Sequence, residues 1–348
     1  MGLRVLLLLA IGCAGSDPEP VPLDTDVSET DVPETDCTAA CASSATELEK
    51  HVCYSCQCKA AMDGWLPSVD ELQCSEGAEI VVSTALEDGT LVPAALDATE
   101  CANPSLLYGT CSSGGRLGQL THGTVTVKWI CRYNHPVANP DDDTPFDDVG
   151  VILHNRRNGA SCWFDDDDGT GIAGRNLPPL DLAAGTPDDH EAFERFFYRT
   201  NGESCTYCHD NDPFVYTPFL ESVGWQTGEY TSAGFSRVTL DGELVSNGTM
   251  HLVSPDAAAC TACHRITSGN TCDSWVADST GLQKLPGHQA IVRNAPGTDL
   301  WALATWMPPE LAVDEAAWEA SFGLARDTIT RCCASPGSAG CDWEPTPL

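Results

Sequence analysis

The chain has 348 residues, room for two domains or three small ones, and is strongly acidic, with 51 Asp and Glu against 17 Lys and Arg. That balance argues against nucleic acid as a partner, because phosphate contacts need the opposite sign, and suits a soluble surface that steers toward a basic one. No apolar run reaches the roughly 18 residues of a membrane-spanning helix.

The first residues read MGLRVLLLLAIGCAGS: a basic Arg4, a short apolar run over 5–11, then Cys13. This resembles a bacterial lipoprotein signal, which implies a signal segment over 1–12, lipidation at Cys13 and attachment to a membrane at the cell envelope. Ordinary secretion is the alternative, and either reading exports the chain. Residues 14–36 hold eight acids, four prolines and no basic residue. Such a segment buries no apolar surface and is expected to be a disordered acidic tether over 13–36, spanning roughly 25–30 Å.

Residues 46–62 have helical character. Strands are expected at 78–86 and at 124–133, where Val125, Val127 and Trp129 alternate with Thr124, Thr126 and Lys128 in the period of a half-buried strand. A third is expected at 148–154, and strand signals end near Cys162. Residues 37–175 thus read as a small disulfide-rich domain with β-structure. A helix is expected to open at 187–189 and run through HEAFERFFYR. Another is expected over 314–330, with Asp314 as its N-cap. Residues 176–348 read as mainly helical with long loops, and the whole as α+β.

Nineteen cysteines in an exported chain point to disulfides. Setting aside Cys13 and the four cysteines of a repeated motif described next leaves fourteen, enough for seven disulfides. In CYSCQC the pair Cys53 and Cys56 is followed by Gln57, and disulfides are favoured there over a zinc site. Neighbouring Cys332 and Cys333 are expected to bond to different partners, since linking adjacent residues strains the ring.

ESCTYCHDND and AACTACHRIT each contain Cys-x-x-Cys-His, 55 residues apart. Two thiols three residues apart can add to the two vinyl groups of one porphyrin edge, with the following histidine beneath the iron. The alternative is two local disulfides beside accidental histidines. On these motifs residues 185–348 resemble the c-type cytochromes. The resemblance implies two covalently bound c-type haems, held by Cys205, Cys208 and His209 and by Cys260, Cys263 and His264. It also implies a distal ligand for each. Met307, 43 residues after His264, is followed by Pro308 and a helix, the layout of the commonest single-haem fold. Met250, 41 residues after His209, is the corresponding choice for the first haem, with His251, His190 and His288 also open. The short interval between motifs favours one compact di-haem unit over tandem domains.

The acidic run WFDDDDGTG fails the EF-hand pattern, because Phe164 and Arg175 fall at the end ligand positions, and reads as a solvated turn. The expected function is one-electron transfer to redox partner proteins carrying a basic patch. A di-haem peroxidase or oxidase, and a surface interaction module with an accessory haem unit, are the rivals.

Overall fold

The computed structural model describes residues 36–43, 45–86, 91–95, 98, 101, 103, 105, 110–135, 137, 144–166, 177–197, 205, 209–210, 212–215, 217–223, 234–240, 243–246, 250–262, 264–275 and 315–346. The fold is mixed α/β, with a sheet-rich region and several disulfides. Helix α1 (Glu47–Ala61) starts where the sequence predicts. The Thr46 side chain accepts from the Glu49 N–H while the Glu49 carboxylate reaches back to the Thr46 N–H, a capping box that satisfies two otherwise orphaned donors.

The main sheet has seven strands: β1 (Ala78–Glu79), β4 (Arg116–His122), β5 (Val125–Arg132), β6 (Asp148–Asn155), β7 (Ala160–Asp166), β8 (Ser236–Val238) and β9 (Leu244–Ser246), in that spatial order. All pairs are antiparallel except β7–β8. β2 (Ser83–Ala85) and β3 (Leu91–Pro93) form a separate hairpin. The segment expected as one strand over 78–86 is therefore two, with Ile80 and Val82 buried between them.

Register fixes the two faces of the sheet. Val127, Leu153 and Cys162 stand side by side across β5, β6 and β7, and so do Trp129, Val151 and Phe164. This face carries the main core. It packs against Tyr54, Cys58 and Met62 from α1 and its C-cap, and against Phe193 and Phe196 from α2 (Pro187–Phe196). Gly118 lies opposite Trp129, and a Cβ there would sit 2.0 Å from the indole, so the glycine is what lets the ring lie flat over β4. The other face carries Thr126, Lys128, Ile152, His154, Ser161 and Trp163 in the complementary register. It is also covered: Thr126, Lys128, His154, Ser161 and Trp163 are buried. The alternation in 124–133 is thus real, but the strand is buried on both sides.

The sheet does not stop at the boundary expected near residue 175. β8 and β9 extend it from within the second half of the chain, and Phe193, Phe196 and Phe197 belong to the same core as Tyr54 and Phe164. A smaller unit follows, built on α3 (Ala258–Thr261), α4 (Glu315–Ala334), and the antiparallel pair β10 (Met250–Leu252) and β11 (Trp343–Pro345). Its core holds Leu252, Ala257, Ile266, Ile329 and Cys332. The proposed N-cap Asp314 lies outside the described residues.

Among the described residues, seven disulfides consume the fourteen cysteines left by the sequence count. Cys37–Cys56 and Cys41–Cys53 lash the N-terminal segment to α1, Cys58–Cys162 ties α1 to β7, Cys74–Cys131 reaches β5, and Cys101–Cys111 closes a loop. Cys272–Cys333 and Cys332–Cys341 clasp the end of α4. The cysteines of CYSCQC all go to disulfides, and the adjacent Cys332 and Cys333 take different partners. None of the seven joins a cysteine before residue 205 to one after residue 263.

Candidate cofactor-binding site

The two motifs share one local geometry. The His209 N–H donates to the Cys205 carbonyl at 3.0 Å, and the His264 N–H donates to the Cys260 carbonyl at 3.0 Å. Each is an α-type i to i−4 bond, which sets the first cysteine and the histidine one helical turn apart on the same side. Cys205 and Cys260 carry thiols rather than disulfide sulfurs. Cys208 and Cys263 lie outside the described residues, as do Cys13, Met307 and His288. Burial lifts the Cys260 thiol to about 11, so it is held protonated.

The first motif rests on the polar face of the sheet. The His209 ring meets the Trp163 ring edge-on at 5.1 Å. Trp163 is itself held by Tyr54, whose hydroxyl accepts from the Trp163 N–H at 2.8 Å and donates to its carbonyl at 3.1 Å. Phe214, five residues past His209, packs against His154, and Lys128 lies 4.7 Å above its ring. The second motif lies in the smaller unit, with Cys260 packed against the Leu252, Ile329 and Cys332 core.

A buried polar junction joins the segments that leave the two motifs. Asp210, next to His209, accepts from Thr267 Oγ1 at 2.8 Å, from the Thr271 N–H at 3.1 Å, and from the Thr271 hydroxyl. Asp212 faces Arg265, next to His264, at 3.7 Å. Burial pushes Asp212 up to about 7, against the pull of the Arg265 charge and the Arg265 N–H bond. These residues were not singled out in the sequence. The signal was present, since CHD and CHR place opposite charges at equivalent positions after the two histidines.

Met250 and His251 lie on β10, beside the exit of the second motif. The Met250 N–H donates to Ser268 Oγ at 3.1 Å, its carbonyl accepts from the Ser268 N–H, and His251 bridges to Thr267. Because Thr267 also bonds Asp210, β10 stands at the junction of both motifs. Burial, and next the nearby Arg265 charge, hold His251 below the usual imidazole range, and its Nδ1 is buried with no partner among the described residues. His190 is engaged elsewhere, its Nε2 2.8 Å from the Leu182 carbonyl.

Three observations bear on whether these residues fit a covalently held haem. Burial pushes His209 and His264 down to about 4, so both imidazoles are neutral at physiological pH, the form that binds iron. His209 Nδ1 lies 3.1 Å from the Pro213 carbonyl. A carbonyl only accepts, so Nδ1 carries the proton and Nε2 keeps its lone pair for a metal. Trp163 Nε1, beside His209, is a buried donor with no acceptor among the described residues, as a carboxylate on a porphyrin edge would require. The residues fit the group. The chain matches no protein-family model, no curated protein and no solved structure.

Proposed function

We propose that the chain is an exported di-haem c-type cytochrome whose task is one-electron transfer at the cell envelope, held to a membrane by a lipid at Cys13. The observation that carries this reading is the repeat of one geometry: a thiol, one helical turn, and a half-buried neutral imidazole, at Cys205–His209 and again at Cys260–His264. The disulfide count supports it, because fourteen of the other fifteen cysteines pair among themselves and only Cys13 lies outside that set.

When bound, each haem iron would accept and release one electron. The chain's own residues do the rest. Cys205 and Cys208, and Cys260 and Cys263, would fix each porphyrin edge. His209 would present Nε2, with its tautomer set by Pro213, and His264 would serve the second site. Trp163 would offer a donor to a carboxylate at the first site. Met307 is the proposed distal ligand of the second haem and Met250 that of the first. The net charge of −34 favours partners with a basic docking patch.

Covalent attachment is the direct test. Denatured, acid–acetone-extracted protein is expected to keep a haem stain, and a pyridine haemochrome assay is expected to give two haems per chain. Cys205→Ala and Cys260→Ala should each leave one site with a single thioether and shift its haemochrome band. Protein that loses all haem on extraction would end the reading.

A further inference from the structure

We infer that Asp210 is a positioning residue that locks the two cofactor sites into one unit of fixed relative geometry; this rests on the di-haem reading above. The carboxylate is only 4% exposed, and burying such a group is unfavourable unless its lone pairs are filled. Here three donors fill them, and all three come from Thr267 and Thr271, beyond the second motif. All three of these hydrogen bonds thus go to the other motif's segment.

The position in sequence gives this bond its reach. Asp210 adjoins His209, whose N–H closes the turn to Cys205, so a shift of Asp210 moves the turn that carries the imidazole. Thr267 is three residues past His264, and Arg265, which faces Asp212, is next to it. The two strands of chain thus touch at two points in antiparallel order, 210 with 267 and 212 with 265. One point would act as a pivot, whereas two fix an angle. Buried networks of this kind stand or fall together, because losing one donor strands the carboxylate. A surface tether between independent haem sites would need none of this burial.

The test uses the full exported chain. Asp210→Ala removes all three bonds. Asp210→Asn keeps an acceptor for the Thr271 N–H and can donate to a threonine hydroxyl, so it conserves the bridge. Two haems held at a fixed angle give a bisignate Soret circular dichroism couplet. Wild type and Asp210→Asn are expected to show it. Asp210→Ala is expected to keep two haems by pyridine haemochrome yet lose at least half of the couplet. A role in stability alone would lower haem content and leave the couplet per loaded chain unchanged, and that result overturns the inference. So does a wild type with two haems and no couplet.

Should Asp210→Ala fail to accumulate, the double variant Thr267→Val with Thr271→Val reads the same quantity with the carboxylate in place, and an unchanged couplet there is equally fatal. Amide exchange gives a readout that needs no haem. The Thr271 N–H donates to Asp210, so its peptide should exchange at least tenfold faster in Asp210→Ala, and unaltered exchange removes the bridge itself. Wild type without covalent haem sinks the di-haem reading and the inference with it, while the exchange result separately reports whether the junction exists.

Discussion

His154 shows how a single residue carries the cost of the covered sheet face. Its ring is buried among Phe214, Phe235 and Ser161, and burial, reinforced by the charges of Arg265 and Arg156, pushes its pKa from 6.5 down to about 3. The unfolded chain therefore binds a proton in this window that the folded chain refuses, so stability is complete above about pH 6.5 and drains away as pH falls toward 3. Each unit of pH removes up to about 1.4 kcal/mol per group. His209 and His264 act with the same sign. His154→Asn, which keeps an acceptor near Ser161, is expected to flatten but not abolish the acid slope of the thermal midpoint between pH 6.5 and 4. An unaltered slope would show that His154 titrates normally. The sequence could not disclose this burial. Thr126, Lys128 and His154 are polar and alternate with Val125, Val127 and Leu153, the pattern of a solvent-facing side. Phe214 and Phe235 cover His154, and Phe214 lies under Lys128, all of them contacts made far along the chain.

At the scale of elements, legibility followed locality. α1 was readable to within a residue at each end, because Thr46, Glu49 and the run between them act within a few turns. The pairing of Cys332 and Cys333 with separate partners followed from ring strain alone. β7 and β8 were not legible as partners: their first paired positions, Ala160 and Ser236, are 76 residues apart, and only tertiary contact joins them in parallel. Strand β4, RLGQLTH, was missed because Gly118 and Gln119 weaken its propensity, while the Trp129 indole needs that glycine beneath it. The motifs were the most readable feature of the candidate site, and the acid–threonine junction the least, since hydrogen bonds across 57 and 61 residues leave no periodic trace. The disulfides permit a comparison. Cys58–Cys162 spans 104 residues and Cys101–Cys111 spans 10. Chain entropy alone makes the first worth about 4–5 kcal/mol and the second nearer 3. Replacing Cys58 and Cys162 together by Ala should therefore cost more than replacing Cys101 and Cys111, measured by urea unfolding without reductant. The reverse order would mean that α1 and β7 hold together without their crosslink.

For the whole molecule, the continuous core changes how the halves relate. The expected division at 175 would let a cytochrome unit sit beside a separate β-domain. Instead the segment bearing His209 is laid on the sheet, and the segment bearing His264 is bonded to it through Asp210. The β-rich half is thus the floor of the first candidate site as well as a neighbour. Among the described residues no helix is long and apolar enough to cross a membrane; the proposed lipid attachment point, Cys13, lies outside those residues. Cys13→Ser should move the protein from the membrane fraction to the soluble fraction without altering its haem stain. Unchanged partitioning into detergent would remove the lipid from the proposal.

The segregation of the disulfides also has a consequence in time. Five close within residues 37–162 and two within 272–341, leaving the stretch from Cys205 to Cys263 between them. In a chain that crosses a membrane N-terminus first, every cysteine of the first group has arrived, and can pair, before Cys205 emerges. The motif cysteines then emerge when the ten cysteines of the first group can already have paired with one another. The last two crosslinks, Cys272–Cys333 and Cys332–Cys341, can form only after both motifs have passed. The order of the cysteines along the chain is in this sense a timetable for oxidation.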